Sequence, residues 1–306
     1  MAFQFKRKES VRKAVRRLAQ RGINKALGDL AHCGRIEAVH EVRKEIKQLR
    51  ALLRVVRAAM NESDYRRYSK RLREAARLLA AARDARVRVS ALAGLTSHFK
   101  PALAPRPFRR IRSILAADCR KEQAEMSRSQ AARDVGRILK SLFGKVASLR
   151  LERSGWSALG PGVQRSFRAG RQGYQLARKA GSPDVFHEWR KRVKDLYYQV
   201  GLLRPIWPEQ MAAAEAELRR LGQWLGDDHD LVLLAGPSAL ERLKKKAADE
   251  ADALGTLVGQ RHKQLRARAL ALGAKFYNEK PSIFRNRLEQ YWKRWRRGPK
   301  RVGSVV

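Results

Sequence analysis

The sequence predicts an all-α protein made of two helical bundles that arose from an internal duplication. Ala, Leu, Arg and Lys dominate the 306 residues, and only 10 prolines and 21 glycines interrupt them, a composition that favours helix. No stretch alternates apolar and polar residues between turn residues, so no strand is predicted. Two basic motifs recur at a nearly constant spacing, which indicates the duplication. At about 150 residues per domain, the length fits two domains or one duplicated domain.

Proline and glycine divide the chain into segments whose apolar residues recur at helical spacing. The segments predict helices at 8–30, 35–60, 64–98, 107–145, 161–180, 184–204, 209–226 and 237–297. The last of them is expected to break near Gly273 and Pro281, and Pro101, Pro105 and Pro107 mark the break before the fourth. The split between the halves is predicted near residue 150, around 153–155 and 160–162, which gives halves at 8–150 and 160–297.

The charge balance points to a polyanionic partner. Lys and Arg number 69 against 29 Asp and Glu, which gives a formal net charge of +40. Such a surplus destabilises a compact chain by self-repulsion, and a small neutral substrate would not explain it. Nucleic acid, an anionic membrane and inorganic polyphosphate are the partner classes that remain. The 44% of hydrophobic residues suffice for a core and argue against disorder.

The chain is expected to be cytoplasmic. No apolar segment follows the basic N-terminus as a secretory signal would require, and no stretch approaches the length and apolarity of a membrane span. The cysteines, Cys33 and Cys119, are predicted to be reduced thiols.

The repeated motif is a basic helix. Residues 39–49 align with 186–196 at an offset of 147 residues, so that His, Glu, Arg, Lys, Lys and Leu recur at the same spacing. Further along, Arg83-Asp84 aligns with His229-Asp230 at an offset of 146 residues. Two separated motifs with almost the same offset are hard to obtain by chance, so we interpret the chain as two similar helical halves.

On a helix the motif forms a stripe of cations opposite an apolar face. The first stripe contains His40, Arg43, Lys44, Lys47, Arg50, Arg54 and Arg57. The second contains His187, Arg190, Lys191, Lys194 and Arg204, with Tyr197 and Tyr198 among them. No acidic residue is interleaved on the first stripe, and Glu41 and Glu45 are expected to point sideways or towards the apolar side. Like charges at this spacing repel, so we predict a polyanion-binding face rather than one more part of a basic surface.

The His-x-x-Arg-Lys-x-x-Lys pattern at 40–47 and 187–194, together with residues 225–231 and 269–276, resembles the conserved histidine α-helical domain (CHAD) over about residues 8–297. The resemblance implies a single domain over 1–306, built of two bundles with pseudo-two-fold symmetry. It also implies binding of inorganic polyphosphate and, as for some members, association with polyphosphate granules. Many members are fused to a triphosphate tunnel domain, for which this chain has no room, so a standalone module is expected.

Carried over residue by residue, the resemblance implies polyphosphate contacts from both halves. In the first half these are His40, Arg43, Lys44, Lys47 and Arg50, and in the second His187, Arg190, Lys191 and Lys194. The second half departs from the pattern where Arg50 becomes Tyr197 and Arg54 becomes Gly201. We therefore expect the two halves to contribute unequally.

Metal and catalytic interpretations have less support. Lys44 and Lys191 stand where the zincin pattern needs a second histidine. Asp227, Asp228 and Asp230 could hold a metal for phosphoanhydride chemistry, but the repeat retains only Asp84, so Asp84 and Asp230 are expected to cap a helix or to pair with a basic residue across the bundle. The chain has neither a Walker A loop nor a Gly-x-Ser-x-Gly elbow, so no enzymatic activity and no cofactor are predicted.

A nucleic-acid-binding protein is the main alternative, since charge alone permits it. Against it, the first stripe has no aromatic residue to stack on bases. The C-terminal segment 291–297 mixes aromatic residues with cations and could stack on bases or lie in a membrane interface. The helical spacing of Leu288, Tyr291, Trp292 and Trp295 also fits a face that docks on the protein itself.

Overall fold

The computed structural model describes residues 3–32, 36–103, 107–128 and 130–298, which form helices joined by short connections. In chain order the helices are α1 Val11–Leu30, α2 Ile36–Val56, α3 Glu62–Leu78, α4 Ala80–His98, α5 Arg109–Arg128, α6 Ala131–Val146, α7 Gly155–Ala180, α8 Pro183–Leu203, α9 Pro208–Ala235, α10 Pro237–Phe276 and α11 Pro281–Arg297. No strand occurs in these ranges, and the predicted all-α class is confirmed. Cys33 and Pro105 lie outside the described residues.

Three predicted boundaries differ from the structure. The segment 64–98 is two helices, because the chain turns at Leu79, whose side chain is fully buried and whose backbone is non-helical. The segment 107–145 is likewise two helices, α5 and α6. The helix expected to end at residue 226 continues as α9 to Ala235, so the acidic segment 227–230 lies on a helix. The predicted break between α10 and α11 is confirmed.

The Gly160-Pro161-Gly162 segment, predicted to lie at the split between the halves, is instead inside α7. The glycine at 162 serves a close helix crossing: α7 packs against α2, and a Cβ added to Gly162 would overlap the backbone carbonyl of Val55. A glycine that looks like a chain break in the sequence is therefore a contact point between two helices.

We expect Gly162→Ala to lower the free energy of unfolding by at least about 1–3 kcal/mol, the usual cost of overpacking, because the Val55 carbonyl belongs to a helix backbone that cannot yield easily. Chemical denaturation measures the change. Gly28→Ala on α1 is the control, since nothing lies within 4 Å of its Cβ. That substitution should stabilise by up to about 1 kcal/mol through helix propensity. Equal effects at both positions would contradict the close crossing.

Two hydrophobic clusters hold the helices together, and each draws residues from both sides of residue 150. The larger joins α1, α2, α3, α6, α7, α8 and α11 with the first part of α9, and it also contains Met126 of α5 and Ala269 of α10. The smaller joins α4, α5 and α10 with the last part of α9. The contacts of α2 with α8 and of α4 with α9 agree with two related halves, whose internal duplication and boundaries stay predictions.

The C-terminal aromatic residues dock on the protein. Trp292 is 5% exposed and its ring lies against those of Phe5 and Trp156. Tyr291 packs against Trp207, with ring centroids 4.6 Å apart. The face of α11 with these residues is therefore used for packing.

None of the helices in the described ranges combines the length and the apolar composition that crossing a bilayer requires. On α5, Cys119 is a buried free thiol.

Candidate anion-binding cleft

Four helices surround a polar cleft of about 640 Å³. The helices are α2, α4, α8 and α9, so both predicted halves contribute. Seven cationic side chains line the cleft: Arg43, Lys44, Lys47, Arg83, Arg86, Arg190 and Lys194. They face four carboxylates, those of Glu37, Glu41, Asp227 and Asp230. The cleft is thus a net cationic space open to solvent.

From α2, the side chains of His40, Arg43, Lys44 and Lys47 reach the cleft because residues three, four and seven positions apart share a helix face. Arg43 donates a hydrogen bond of 2.6 Å to the backbone carbonyl of Ala76 on α3, which fixes its guanidinium. It forms no ion pair within the described residues, although the charge of Asp84 acts on it from a greater distance. Lys44 is paired with Glu41 at 3.0 Å. Glu41 therefore lies on the cleft side, contrary to the expectation that it points away.

From α8, Arg190, Lys194 and Tyr198 face the same space. Gly222 on α9 makes room for Lys194: a Cβ there would lie 3.2 Å from its Cε and 3.3 Å from its Nζ. The Nε of Arg190 is buried and has no hydrogen-bond partner in the structure. The Nε donor of Arg190 thus finds no acceptor within the described part of the protein.

The sequence analysis did not identify two cleft arginines, Arg83 and Arg86 of α4. Arg83 bridges the halves: its guanidinium lies 3.0 Å from Asp84 and 3.3 Å from Asp230 of α9. The prediction of a basic partner across the bundle is confirmed for Asp230, whereas Asp84 pairs with its neighbour Arg83 on the same helix. The signal was present, since Arg83 belongs to the second repeated motif, but only the packing of α4 on α9 places it in the cleft.

Burial and mutual repulsion lower the pKa values of four cleft cations, Arg43, Lys47, Arg190 and Lys194. Burial, and next the charges of Arg190, Arg43 and Arg83, lower the pKa of Lys47 to about 7. Lys47 has no ion pair within the described part of the chain. The pKa values of Arg190 and Lys194 are lowered, chiefly by burial, and burial raises the pKa of Asp230. An anion in the cleft would relieve the repulsion that these shifts express.

The two motif histidines have different surroundings. His40 is exposed at the cleft, and burial together with Lys47 lowers its pKa. His187 stacks on His229 of α9, with ring centroids 4.0 Å apart, and its Nδ1 is buried without a partner. Burial, and next His187, lower the pKa of His229 to about 3, so this pair is neutral at physiological pH. His187 does not line the cleft.

Five other predicted site residues lie outside the cleft, and several are paired with carboxylates. Arg54 is 2.7 Å from Asp195, Arg57 is 2.9 Å from Glu62, and Arg204 is 2.9 Å from Glu215. Lys191 is exposed and paired with Glu188, and Arg50 is half-buried one turn before Arg54. The first stripe is therefore not a run of unscreened cations, because carboxylates from α3 and α8 reach part of it.

The acidic segment of α9 does not converge on one point. Asp227 and Asp230 line the cleft, whereas Asp228 is buried against α10, where Arg266 donates to it at 2.8 Å and His262 lies 2.7 Å away. Among the described residues, no three His, Cys, Asp or Glu side chains are grouped so that they could hold a metal ion. The alternative of a metal held by Asp227, Asp228 and Asp230 thus has no geometric support.

The fold and the cleft define an all-α protein in which cations of three helices face one open cleft. The family model of the CHAD domain matches residues 21–237. The chain belongs to the CHAD domain family, as its repeated motif predicts.

Two solved structures share the fold. The crystal structure of the CHAD domain from the plant Ricinus communis superposes with a TM-score of 0.58 at 15% sequence identity, over 87% of this chain and 89% of that one. PptA from Streptomyces chartreusis superposes with a TM-score of 0.56 at 17% identity, over 90% of this chain and 96% of that one. A comparison with curated proteins finds no match.

Proposed function

We propose that the protein binds inorganic polyphosphate through the cleft and does so without catalysis. The observation that carries the proposal is the convergence of seven cations from three helices, α2, α4 and α8, on one space, where their mutual repulsion has no full compensation from carboxylates. Repulsion of this kind costs free energy in the unliganded protein, and a chain of closely spaced phosphates removes that cost on binding.

The cleft cations contribute in different ways. Arg86 and Arg190 can each donate two parallel hydrogen bonds to one phosphate. Arg43 already donates to Ala76, and Arg83 to two carboxylates, so fewer of their donors remain for the ligand. Lys44, Lys47 and Lys194 act as point charges. Because the cations come from several helices, successive phosphates of one chain can be held at the same time. Longer chains then gain avidity from contacts that add up along the cleft.

Inorganic polyphosphate also fits the cleft better than nucleic acid does. Tyr198 is the one aromatic ring besides the imidazole of His40 among the lining residues that the structure describes. Single-stranded nucleic acid draws much of its affinity from bases stacked on aromatic residues, so little of that contribution is available here. The non-catalytic role and an association with polyphosphate granules are parts of the same proposal.

A competition assay tests the proposal. Long-chain polyphosphate and single-stranded RNA of matched charge compete for the purified protein at physiological salt, because purely electrostatic binding weakens steeply as salt rises. We expect polyphosphate to bind at least about tenfold more tightly, since its phosphates are closely spaced and carry no bases. Equal or tighter binding of RNA would instead support a general nucleic-acid-binding protein. Release of phosphate from the bound polymer would contradict the non-catalytic role.

A further inference from the structure

A second group of arginines lies outside the cleft, in a pocket of about 260 Å³ between α2, α3, α7 and α8. The pocket, here called the arginine pocket, is lined by Arg54, Arg57, Arg73, Arg165 and Arg192, with Tyr65, Ser69, Ser166, Ala169 and Asp195. It shares no lining residue with the cleft. Helix α8 separates the two, since Arg190 and Lys194 face the cleft whereas Arg192 and Asp195 face the pocket.

The arginine pocket contains more cationic than anionic charge. Its one lining carboxylate, Asp195, is engaged by Arg54 at 2.7 Å. Arg57 is paired with Glu62, and Arg192 approaches Glu188 to 3.6 Å. Arg73 and Arg165 have no ion pair within the described residues. Arg50 lies one turn before Arg54 on α2, and burial and the charge of Arg54 lower its pKa. The Nε of Arg50 is buried without a hydrogen-bond partner.

The second half of the chain provides an internal comparison. A pocket of about 310 Å³ contains two residues, Gly201 and Gln48, that the offset of 147 pairs with residues of the arginine pocket, and it shares Lys44, Lys194 and Tyr198 with the cleft. Gly201 stands where the first half has Arg54, and Gln48 where the second has Asp195. Glu215, which also lines this pocket, pairs with Arg204, the counterpart of Arg57, at 2.9 Å. The second-half counterparts of Arg54 and Asp195 therefore border a pocket whose lining contains no arginine.

Arg73 and Arg165 are exposed and have no ion pair among the described residues, so packing does not explain why they lie beside three further arginines, whose repulsion is a cost. We propose that the arginine pocket is a second anion site that binds a compact phosphate group, with pyrophosphate as the representative ligand. Asp195 holds Arg54 in place, and Arg73 and Arg165 offer guanidinium donors to the anion. The buried side chains of Ser69 and Ser166 supply hydroxyl groups at the pocket wall. The small volume suits a short phosphate rather than a polymer.

Calorimetric titration of the full chain with pyrophosphate tests the site. We expect the double variant Arg73→Gln, Arg165→Gln to weaken pyrophosphate binding at one class of site by at least about tenfold, because each guanidinium donates charge-assisted hydrogen bonds. Affinity for long-chain polyphosphate at the cleft should change by less than about twofold, since exposed charges outside a site contribute little. Both arginines are exposed, so the variant is expected to fold, and circular dichroism checks that it does.

The matched control is Arg67→Gln, Arg168→Gln, which removes two exposed arginines from the same two helices but outside the pocket. An equal loss in pocket and control variants would mean that only the general positive field attracts pyrophosphate, and would overturn the site. Unchanged pyrophosphate binding in the pocket variant would overturn it as well. Substitution of the cleft residues Arg43, Lys47 and Arg190 separates this result from the proposed function, because it should weaken polyphosphate binding at least about a hundredfold and leave pyrophosphate binding at the arginine pocket.

Discussion

We expect the triple variant Arg43→Gln, Lys47→Gln, Arg190→Gln to bind long-chain polyphosphate at least about a hundredfold more weakly at physiological salt. These cations come from α2 and α8, line the cleft and have no carboxylate partner in the described part of the structure. A hydrogen bond to a charged group contributes about 1.5–3 kcal/mol when buried and less where salt screens it. Even about 1 kcal/mol per residue gives a loss of roughly a hundredfold. Fluorescence anisotropy with labelled polyphosphate measures it.

The variant should remain folded, because removing cations that repel one another and have lowered pKa values relieves strain on the native state. Circular dichroism and thermal melting check this. Lys140, Arg178 and Lys179 are exposed cations outside the cleft, and their joint replacement by glutamine removes the same charge. If that control loses as much affinity as the cleft variant, net charge alone binds the polymer and the cleft is not the site.

The part of the site that could be predicted from the sequence is the part that one helix determines. His40, Arg43, Lys44 and Lys47 share a face of α2 because of helical periodicity, and the structure puts all of them at the cleft. The same periodicity predicted that Arg54 shares the face of α2 that contains these four residues. It could not show that α8 crosses α2 there and sends Arg54 into another pocket beside Asp195.

Contacts between helices could not be predicted either, because periodicity within one helix does not show which helices pack together. Arg83 was visible in the repeated motif, yet its place in the cleft depends on the packing of α4 against α9. Gly162 resembled a chain break, and only the position of the Val55 carbonyl shows why a glycine stands there. The fold class was easier to predict, since composition and apolar spacing determine helix along the whole chain and need no knowledge of partners.

Polyphosphate affinity should also depend on pH through Lys47. Its surroundings are cationic: Arg43 on its own helix, Arg83 from α4, and Arg190 and Lys194 from α8, with Asp230 of α9 as the nearby carboxylate. With a pKa of about 7, Lys47 is mostly charged at pH 6.5 and mostly neutral at pH 8.5. A bound polyanion favours the charged form, so binding takes up a proton and affinity falls as pH rises. The loss over this window is about twentyfold if the bound lysine stays protonated throughout.

Two variants at residue 47 separate this effect from other titrations. Lys47→Met is neutral and Lys47→Arg is charged at every pH in the window, so both should give flat profiles, the arginine variant at the higher affinity. The pKa values of His40, His187 and His229 are lowered from 6.5, so these groups are neutral over most of the pH window. In the unliganded protein, stability depends on pH in the direction opposite to that of affinity. The folded state binds fewer protons at Lys47 than the unfolded state above pH 7, so thermal stability should rise with pH while affinity falls. A slope that persists in Lys47→Met would assign the proton to another group.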